Sequence, residues 1–293
     1  MSETLVVLAA GRARRYGGCK PLAPVGPSGE PVLDLLASDA LAAGFSRIVV
    51  VVGPVTGAAI RYHVQRCWPD SVDVRFATQQ TPLGTVHAVL AAAGHLDPGR
   101  AFAVANADDL YGVAAFEVIV DHLEHEDPSN ALVGFPIHAV MLGDSPVTRG
   151  ICEVGDDGYL ISISERREVF TLGPGLGYAS KDGLDPVEID PDALVSMNLW
   201  AFNEEMWDVL GDAMLRSSDA SQDAEVLLPD VVAKQLELGA SGRGSSATKF
   251  KVLRTDSTCV GVTHPGDLAL VQDEIARMVA NGDRPAELWR RSG

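Results

Sequence analysis

Five short runs of β-branched and aliphatic residues punctuate the first half of the chain, at 4–9, 46–52, 72–76, 101–105 and 131–137. The stretches between them, 31–43, 55–68, 84–96 and 113–126, read as helices. The first has Pro31 at its start and Gly44 just past its end, the usual punctuation of a helix. This alternation leaves few options. Strands joined by helices run parallel, and a parallel sheet needs both faces covered. The expected fold is α/β: a Rossmann-like three-layer αβα arrangement around a mostly parallel mixed sheet. Ligands on such sheets sit at the carboxyl ends of the strands. Two unusual loops fall there, at 10–20 and at 106–112.

Beyond about residue 140 the pattern changes. The segment "ICEVGDDGYLISISERR" reads as two strands joined by a Gly-Asp-Asp-Gly turn. Residues 171–193 hold many Gly, Pro and Asp and read as a long loop or hairpin. The run "VSMNLWAF" is a strand, and helices are expected at 204–216 and 225–238. A flexible connector follows at 239–248, then a strand or two and a helix over 265–280. This half forms a smaller, β-rich portion.

The net charge of -17 argues against a nucleic-acid binder, which needs a basic surface. No apolar run approaches the ~20 residues that span a bilayer, so no membrane partner is expected. With no secretory signal pattern the reading is cytoplasmic. The four cysteines are scattered without metal-ligand or disulfide spacing and read as small buried hydrophobes. His122 and His125 read as a solvated helix end rather than a metal site.

Against this acidity, three arginines and a lysine crowd into residues 12–20 of "TLVVLAAGRARRYGGCKPLAPVG". A strand, a glycine turn and clustered cations suit phosphate binding: successive N–H groups form an anion nest and cations neutralise the rest. Two common phosphate motifs fail. Lys20 is followed by Pro21 rather than Ser or Thr, so the loop is not a Walker A sequence, and GxGxxG is absent.

The stretch "LAAGRARRYGGCKPLAPV" instead resembles the signature of the sugar-phosphate nucleotidyltransferases, LAAG-x-G-x-R followed by K-x-L-x-P. Glucose-1-phosphate thymidylyltransferases and uridylyltransferases are its best-known branch. Leu8, Ala9, Ala10, Gly11, Arg15, Lys20, Leu22 and Pro24 fall in register, and Ala13 stands where the family has glycine. In "FATQQTPLGTVHAVL", Gln79, Pro82 and Gly84 match Q-x-x-P-x-G. The resemblance implies that Leu8, Ala10, Gly11, Arg12, Gln79, Pro82, Gly84 and Thr85 bind the nucleotide. Gln79 would read the base edge, although Gln80 beside it is an equal candidate by chemistry. In "VANADDLYG" the resemblance implies Asp108 as the Mg²⁺ ligand, with Asp109 as competitor.

Later motifs are looser. Gly150, Glu165 and Arg166 align with the sugar-phosphate segment, and Asn198 with the strand lining the sugar pocket. Glu225 opens an E-x-x-x-x-D segment that lacks the preceding arginine, with Gln222 and Asp223 there instead. The family's second metal aspartate lies in D-x-G, but here Cys259 stands two residues before Gly261. "VTHPGDLAL" looks like the ending of smaller cytidylyltransferases, which puts Thr263 at an aspartate seen in some of them. A second ligand could come from Asp256, Asp267 or water. The implied organisation is one domain over 1–293. Its nucleotide-binding half spans about 1–112, its substrate-binding half about 113–255, and a closing strand and helix about 256–293.

The implied reaction condenses an NTP with a sugar 1-phosphate and releases pyrophosphate. Arg15 and Mg²⁺ would hold the leaving group and Lys20 the reacting centre. A phosphate monoester is mostly dianionic at neutral pH, so the nucleophile needs no general base. Two alternatives stay open: a cytidylyltransferase using a non-sugar phosphate or phosphonate, and a nucleotide-binding regulator without catalysis. A homo-oligomer is compatible with the sequence.

Overall fold

The computed structural model describes residues 3–11, 17–125, 129–143, 146–172, 175–179, 185–220, 224–243, 248–262 and 266–289. Four strands, β1 (Thr4–Ala9), β2 (Arg47–Val52), β3 (Asp73–Thr78) and β4 (Phe102–Asn106), form a parallel block in the order β3-β2-β1-β4. Leu5, Val6 and Val7 are all fully buried, as a strand covered on both faces requires. Their side chains alternate between two cores. Leu5, Val7 and Ala9 pack with helices α1 (Val32–Ala42), α2 (Gly57–Cys67), α4 (Val113–Leu123) and α7 (Asp267–Asn281). Val6 and Ala10 pack with α3 (Thr85–Ala91), α5 (Met206–Ala220) and α6 (Leu228–Ala240). The three-layer expectation holds.

Past β4 the sheet turns antiparallel. Strand β11 (Leu194–Phe202) pairs with β4, with β6 (Asn130–Pro136) and with β7 (Val147–Val154); β7 pairs with β8 (Leu160–Leu172). Strand β12 (Phe250–Arg254) adds to β6 in parallel. The β7–β8 turn reaches across to β12, where Val252 N–H donates to Gly158 O at 2.9 Å. Gly158 has φ of +80°, which explains the glycine in that turn.

Several boundaries differ from expectation. The helix expected over 84–96 is α3 and then a 3₁₀ turn, Ala93–His95, since Gly94 weakens its last turn. The helix expected from 225 begins at Leu228, with Pro229 in its first turn. The span 171–193 contains the end of β8 and the hairpin of β9 (Gly175–Tyr178) and β10 (Val187–Ile189). These strands are mostly part-exposed and carry little apolar alternation to announce them. The short strand β13 (Val260–Gly261), the second of those expected after the connector, pairs with β5 (Asp109–Leu110), a strand that the pattern does not announce.

The segment after α7 folds back on α1. Gly282 ends α7 in the left-handed region. Arg284 then donates to Leu35 O at 3.0 Å and to Asp39 Oδ1 at 2.7 Å, and both members of this ion pair are buried. Trp289 stacks obliquely on Trp68, 5.2 Å between ring centres.

Candidate active site at the switch between β1 and β4

The chain runs from β1 outward to β2 and β3, then returns to β4 on the other side of β1. The loops leaving β1 and β4 therefore diverge, and the crevice between them is where a doubly wound sheet takes ligands. Ala107 N–H donates to Leu8 O at 3.3 Å and holds the mouth of this crevice. Ala10 is buried below it and Gly11 is exposed at its rim. A Cβ on Gly53 would stand 2.7 Å from Ala10 O, so the exit of β2 must pass as glycine. Thr56 Oγ1 donates to Ala9 O at 3.1 Å and completes this support. Arg12, Ala13, Arg14 and Arg15 lie outside the described residues.

Lys20 opens a 3₁₀ turn, Lys20–Leu22, anchored by buried Pro21 and by Ala23 N–H bonding to Lys20 O. From there its ammonium lies 3.4 Å from Asp108 Oδ2. Two residues 88 positions apart in sequence thus meet at the crevice, both partly accessible.

Asp109 behaves differently. Its Oδ2 accepts from Asn106 Nδ2 at 3.0 Å, and a Cβ on Gly261 would collide with its Oδ1. Burial, and then the Asp108 charge, push its carboxyl upward; the Asn106 hydrogen bond, Arg149 and Lys20 oppose them. Val262 N–H donates to Asp108 O at 3.2 Å. Strand β13 thus clamps the loop by main chain, and of the adjacent carboxylates Asp108 is the one that faces Lys20.

Tyr111 and Arg149 carry structural weight that the sequence did not announce. The Tyr111 hydroxyl accepts from Asn106 N–H and donates to Met197 O, both at 3.0 Å, tying β4 to β11. Arg149 donates to Val140 O at 2.5 Å and Thr148 O at 3.0 Å, with its charge near Asp109. Cys259, just before β13, is buried beside them, so this position offers no carboxylate. Asp256 lines a separate cavity of about 390 Å³ with Gly112, Ser257 and Arg284. Asp267 opens α7, and Thr263 lies outside the described residues. No cluster of three metal-ligating side chains exists among the described residues. The Asp108 carboxylate, partly accessible at the crevice, is an oxygen donor of the kind a hard ion such as Mg²⁺ takes when water and phosphate oxygens fill the rest of its shell.

Close packing at Gly261 yields a prediction. Gly261→Ala forces Asp109, and with it the Asp108 main chain, to shift. Urea denaturation should show a loss of about 1–3 kcal/mol. Unchanged stability would show that the clamp is not tightly packed.

Further along the crevice, Gln79 is buried and its Nε2 donates to Gly84 O at 2.9 Å. Gln80 is exposed. Gly84 has φ of +93°, and a Cβ there would lie 2.6 Å from Val226 N. Thr85 Oγ1 accepts from Leu228 N–H at 2.8 Å. Pro82 lies part-exposed between them. The expected nucleotide loop is therefore bonded to the segment containing Glu225.

The expected acceptor residues do not converge as a set. Glu165 pairs in register with Gly150 and is exposed; it meets Arg167 at 3.2 Å. Arg166, its neighbour, packs over the Tyr178 ring at 4.9 Å. Successive strand residues point to opposite faces, so the two cannot grip one small group together. Arg166 lines a second cavity, of about 430 Å³, with Arg254, Glu188 and Asp190. Asn198 sits with φ of +58° at the irregularity where β11 changes register, next to the Tyr111 contact.

Residues 5–139 match the MobA-like NTP transferase domain. No curated protein matches the sequence. Among solved structures, the inositol-1-phosphate CTP transferase from T. maritima is similar at a TM-score of 0.65 and 13% identity, covering 95% of this chain and 96% of that one. A UDP-glucose pyrophosphorylase complexed with UDP-glucose gives 0.62 and 14%, covering 94% and 99%. HddC from Yersinia pseudotuberculosis, complexed with GMP-PN, gives 0.59 and 18%, covering 93% and 99%. Likeness at such identity is likeness of fold. Among the described residues no helix is long and apolar enough to cross a membrane.

Proposed function

We infer that the chain, whose residues 5–139 match the MobA-like NTP transferase domain, is a nucleotidyltransferase that condenses an NTP with a phosphorylated small molecule, a sugar 1-phosphate first among them. The observation that carries this is the meeting of Lys20 and Asp108 at the carboxyl ends of β1 and β4. A cation and a carboxylate there suit a reaction between two anions. The ammonium offsets charge, and the carboxylate suits a metal on the triphosphate. Structural neighbours whose names include a sugar nucleotide and an inositol phosphate support the same breadth of acceptor.

The acceptor phosphate attacks the α-phosphorus of the NTP. The new P–O bond forms as the bond to the bridging oxygen of pyrophosphate breaks, in line. Lys20 offsets the charge on the α-phosphate and the incoming oxygen. By the resemblance, Arg15 would meet the leaving pyrophosphate. Asp108 would hold Mg²⁺. Bound there, the ion would neutralise charge on the triphosphate. Main-chain groups of the loop after Ala10 receive the phosphates, and the 79–85 loop borders the base. No side chain need accept a proton, because the attacking group is already an anion.

A panel of NTPs and phosphorylated acceptors with Mg²⁺ and a pyrophosphate readout tests this. Release that requires one NTP, one acceptor and the metal is the expected result. Nucleotide binding without release for any pair would favour a regulator. A second enzymatic reading, a cytidylyltransferase using a non-sugar phosphate or phosphonate, rests on the "VTHPGDLAL" ending and the missing arginine before Glu225, and the likeness in fold to an inositol-1-phosphate CTP transferase supports it. CTP-only turnover with such an acceptor would select it.

A further inference from the structure

We propose that Tyr111 is a positioning residue for the transfer step: its buried hydroxyl sets the Asp108 loop against the strand that carries Asn198. The proposal rests on the nucleotidyltransferase reading above, with Asn198 as the acceptor contact that the resemblance implies.

Strands β4 and β11 pair in register only where Phe102, Ala103 and Val104 face Phe202, Ala201 and Trp200. Continued, this ladder would set Asn106 opposite Asn198. It does not continue. Against β6, β11 shifts register between Ser196 and Trp200, and Asn198 turns into the left-handed region at φ of +58°. Such a residue is held by its surroundings, here in part by Asn198 N–H donating to Ser196 Oγ at 3.2 Å. A break of this kind takes the partners from main-chain groups that face it. Tyr111 supplies both. Its hydroxyl accepts from Asn106 N–H and donates to Met197 O, each at 3.0 Å. One oxygen thus replaces a rung of the ladder and holds the two strands apart at a fixed spacing.

The ring makes this hydroxyl a rigid spacer. Tyr111 is fully buried, with its ring edge-on to Phe116 at 5.7 Å and tilted against Phe135 at 6.1 Å. Close packing of this kind leaves the side chain one place to stand. The two main-chain groups it joins lie beside the two sides of the reaction. Asn106 precedes Asp108 by two residues, and its side chain also holds Asp109 at 3.0 Å. Met197 immediately precedes Asn198. A misplacement of about an ångström between reacting groups costs a reaction of this kind up to about 10²-fold in rate. Neither bond of the hydroxyl goes to the nucleotide loops at 8–11 and 79–85, so nucleotide binding does not depend on it directly.

Tyr111→Phe keeps the ring and removes the spacer atom. Phe102→Leu serves as the comparison: it loosens the paired part of β4, where Phe102 stacks on Trp207 at 4.6 Å, away from the break. Steady-state kinetics are measured with the NTP and acceptor that the panel selects, at saturating Mg²⁺. NTP binding is measured by calorimetry without acceptor, and melting on the same preparations. For Tyr111→Phe the expected result is an acceptor KM raised about tenfold and a kcat lowered about tenfold, with the Kd for NTP within about twofold of wild type. Phe102→Leu should lower the melting temperature and leave KM and kcat within about twofold. Wild-type kinetics in Tyr111→Phe with only a lowered melting temperature would overturn the proposal, leaving a purely structural hydroxyl. A Kd for NTP raised as much as the acceptor KM would also overturn it, because the hydroxyl would then serve the nucleotide half. Equal kinetic losses in Phe102→Leu would overturn it as well, since any loosening of β4 would then suffice. A wild-type chain with no turnover on any pair would overturn the reading of function and this inference with it.

Discussion

Lys20→Ala should lose about 10²–10³-fold in kcat while the protein remains folded, because one preorganised charge at the reacting centre is removed. The fold should survive for a separate reason. The Lys20–Asp108 pair is partly accessible, with side chains 18% and 34% exposed, and such pairs contribute little to stability. The turn is held instead by buried Pro21 and by main-chain bonds that do not involve the ammonium. Pyrophosphate release and thermal melting, measured on the same preparation, check both halves. Near-normal release by Lys20→Ala would show that the mechanism is wrong. Lys20→Arg should restore charge without restoring rate, since a planar fork cannot take the place of a compact ammonium in a fitted site.

The second large effect is on stability. Arg284→Met should cost about 3–5 kcal/mol, because it strands Asp39 as a buried carboxylate without its partner. Asp39 and Arg284 are 3% and 5% exposed, and Asp39 Oδ2 and Arg284 Nε have no further partner among the described residues. Replacing both, as Asp39→Leu with Arg284→Met, should recover most of the loss, since the desolvation of two charges disappears together. Urea denaturation of the three proteins measures the cycle, and a double variant no better than the single would refute it.

The same pair has a pH signature. Burial pushes the Asp39 carboxyl up to about 6, against the pull of Arg284. The unfolded value is about 3.9. Between these values the folded state binds more protons, so the Asp39 contribution is fully present below about pH 4. It is lost as pH rises through about 6. The double variant should lack this slope between pH 4 and 6.

Much of this protein was legible before its structure. Strand β1 spans the residues expected of it, and the alternation of apolar runs with helices carried the layered fold. The meeting of Lys20 with Asp108 was legible only as two motifs, each at a strand end. Other expectations needed more than pattern. Glu165 and Arg166 are adjacent in sequence, and adjacency in a strand puts them on opposite faces. Gln79 fits a base-reading motif, and only the fold shows that its Nε2 also bonds Gly84 O.

What the sequence determined alone was local: which runs become strands and helices, and which loops carry glycine and cations at strand ends. Those follow from side-chain periodicity and backbone freedom over a few residues. Tertiary structure alone decided which carboxylate faces Lys20, why Gly261 has no side chain, and where Arg149 and Arg284 place their charge. These depend on contacts between residues 88 to 245 positions apart for the two ion pairs. Desolvation and steric exclusion act through space, and no local pattern records them.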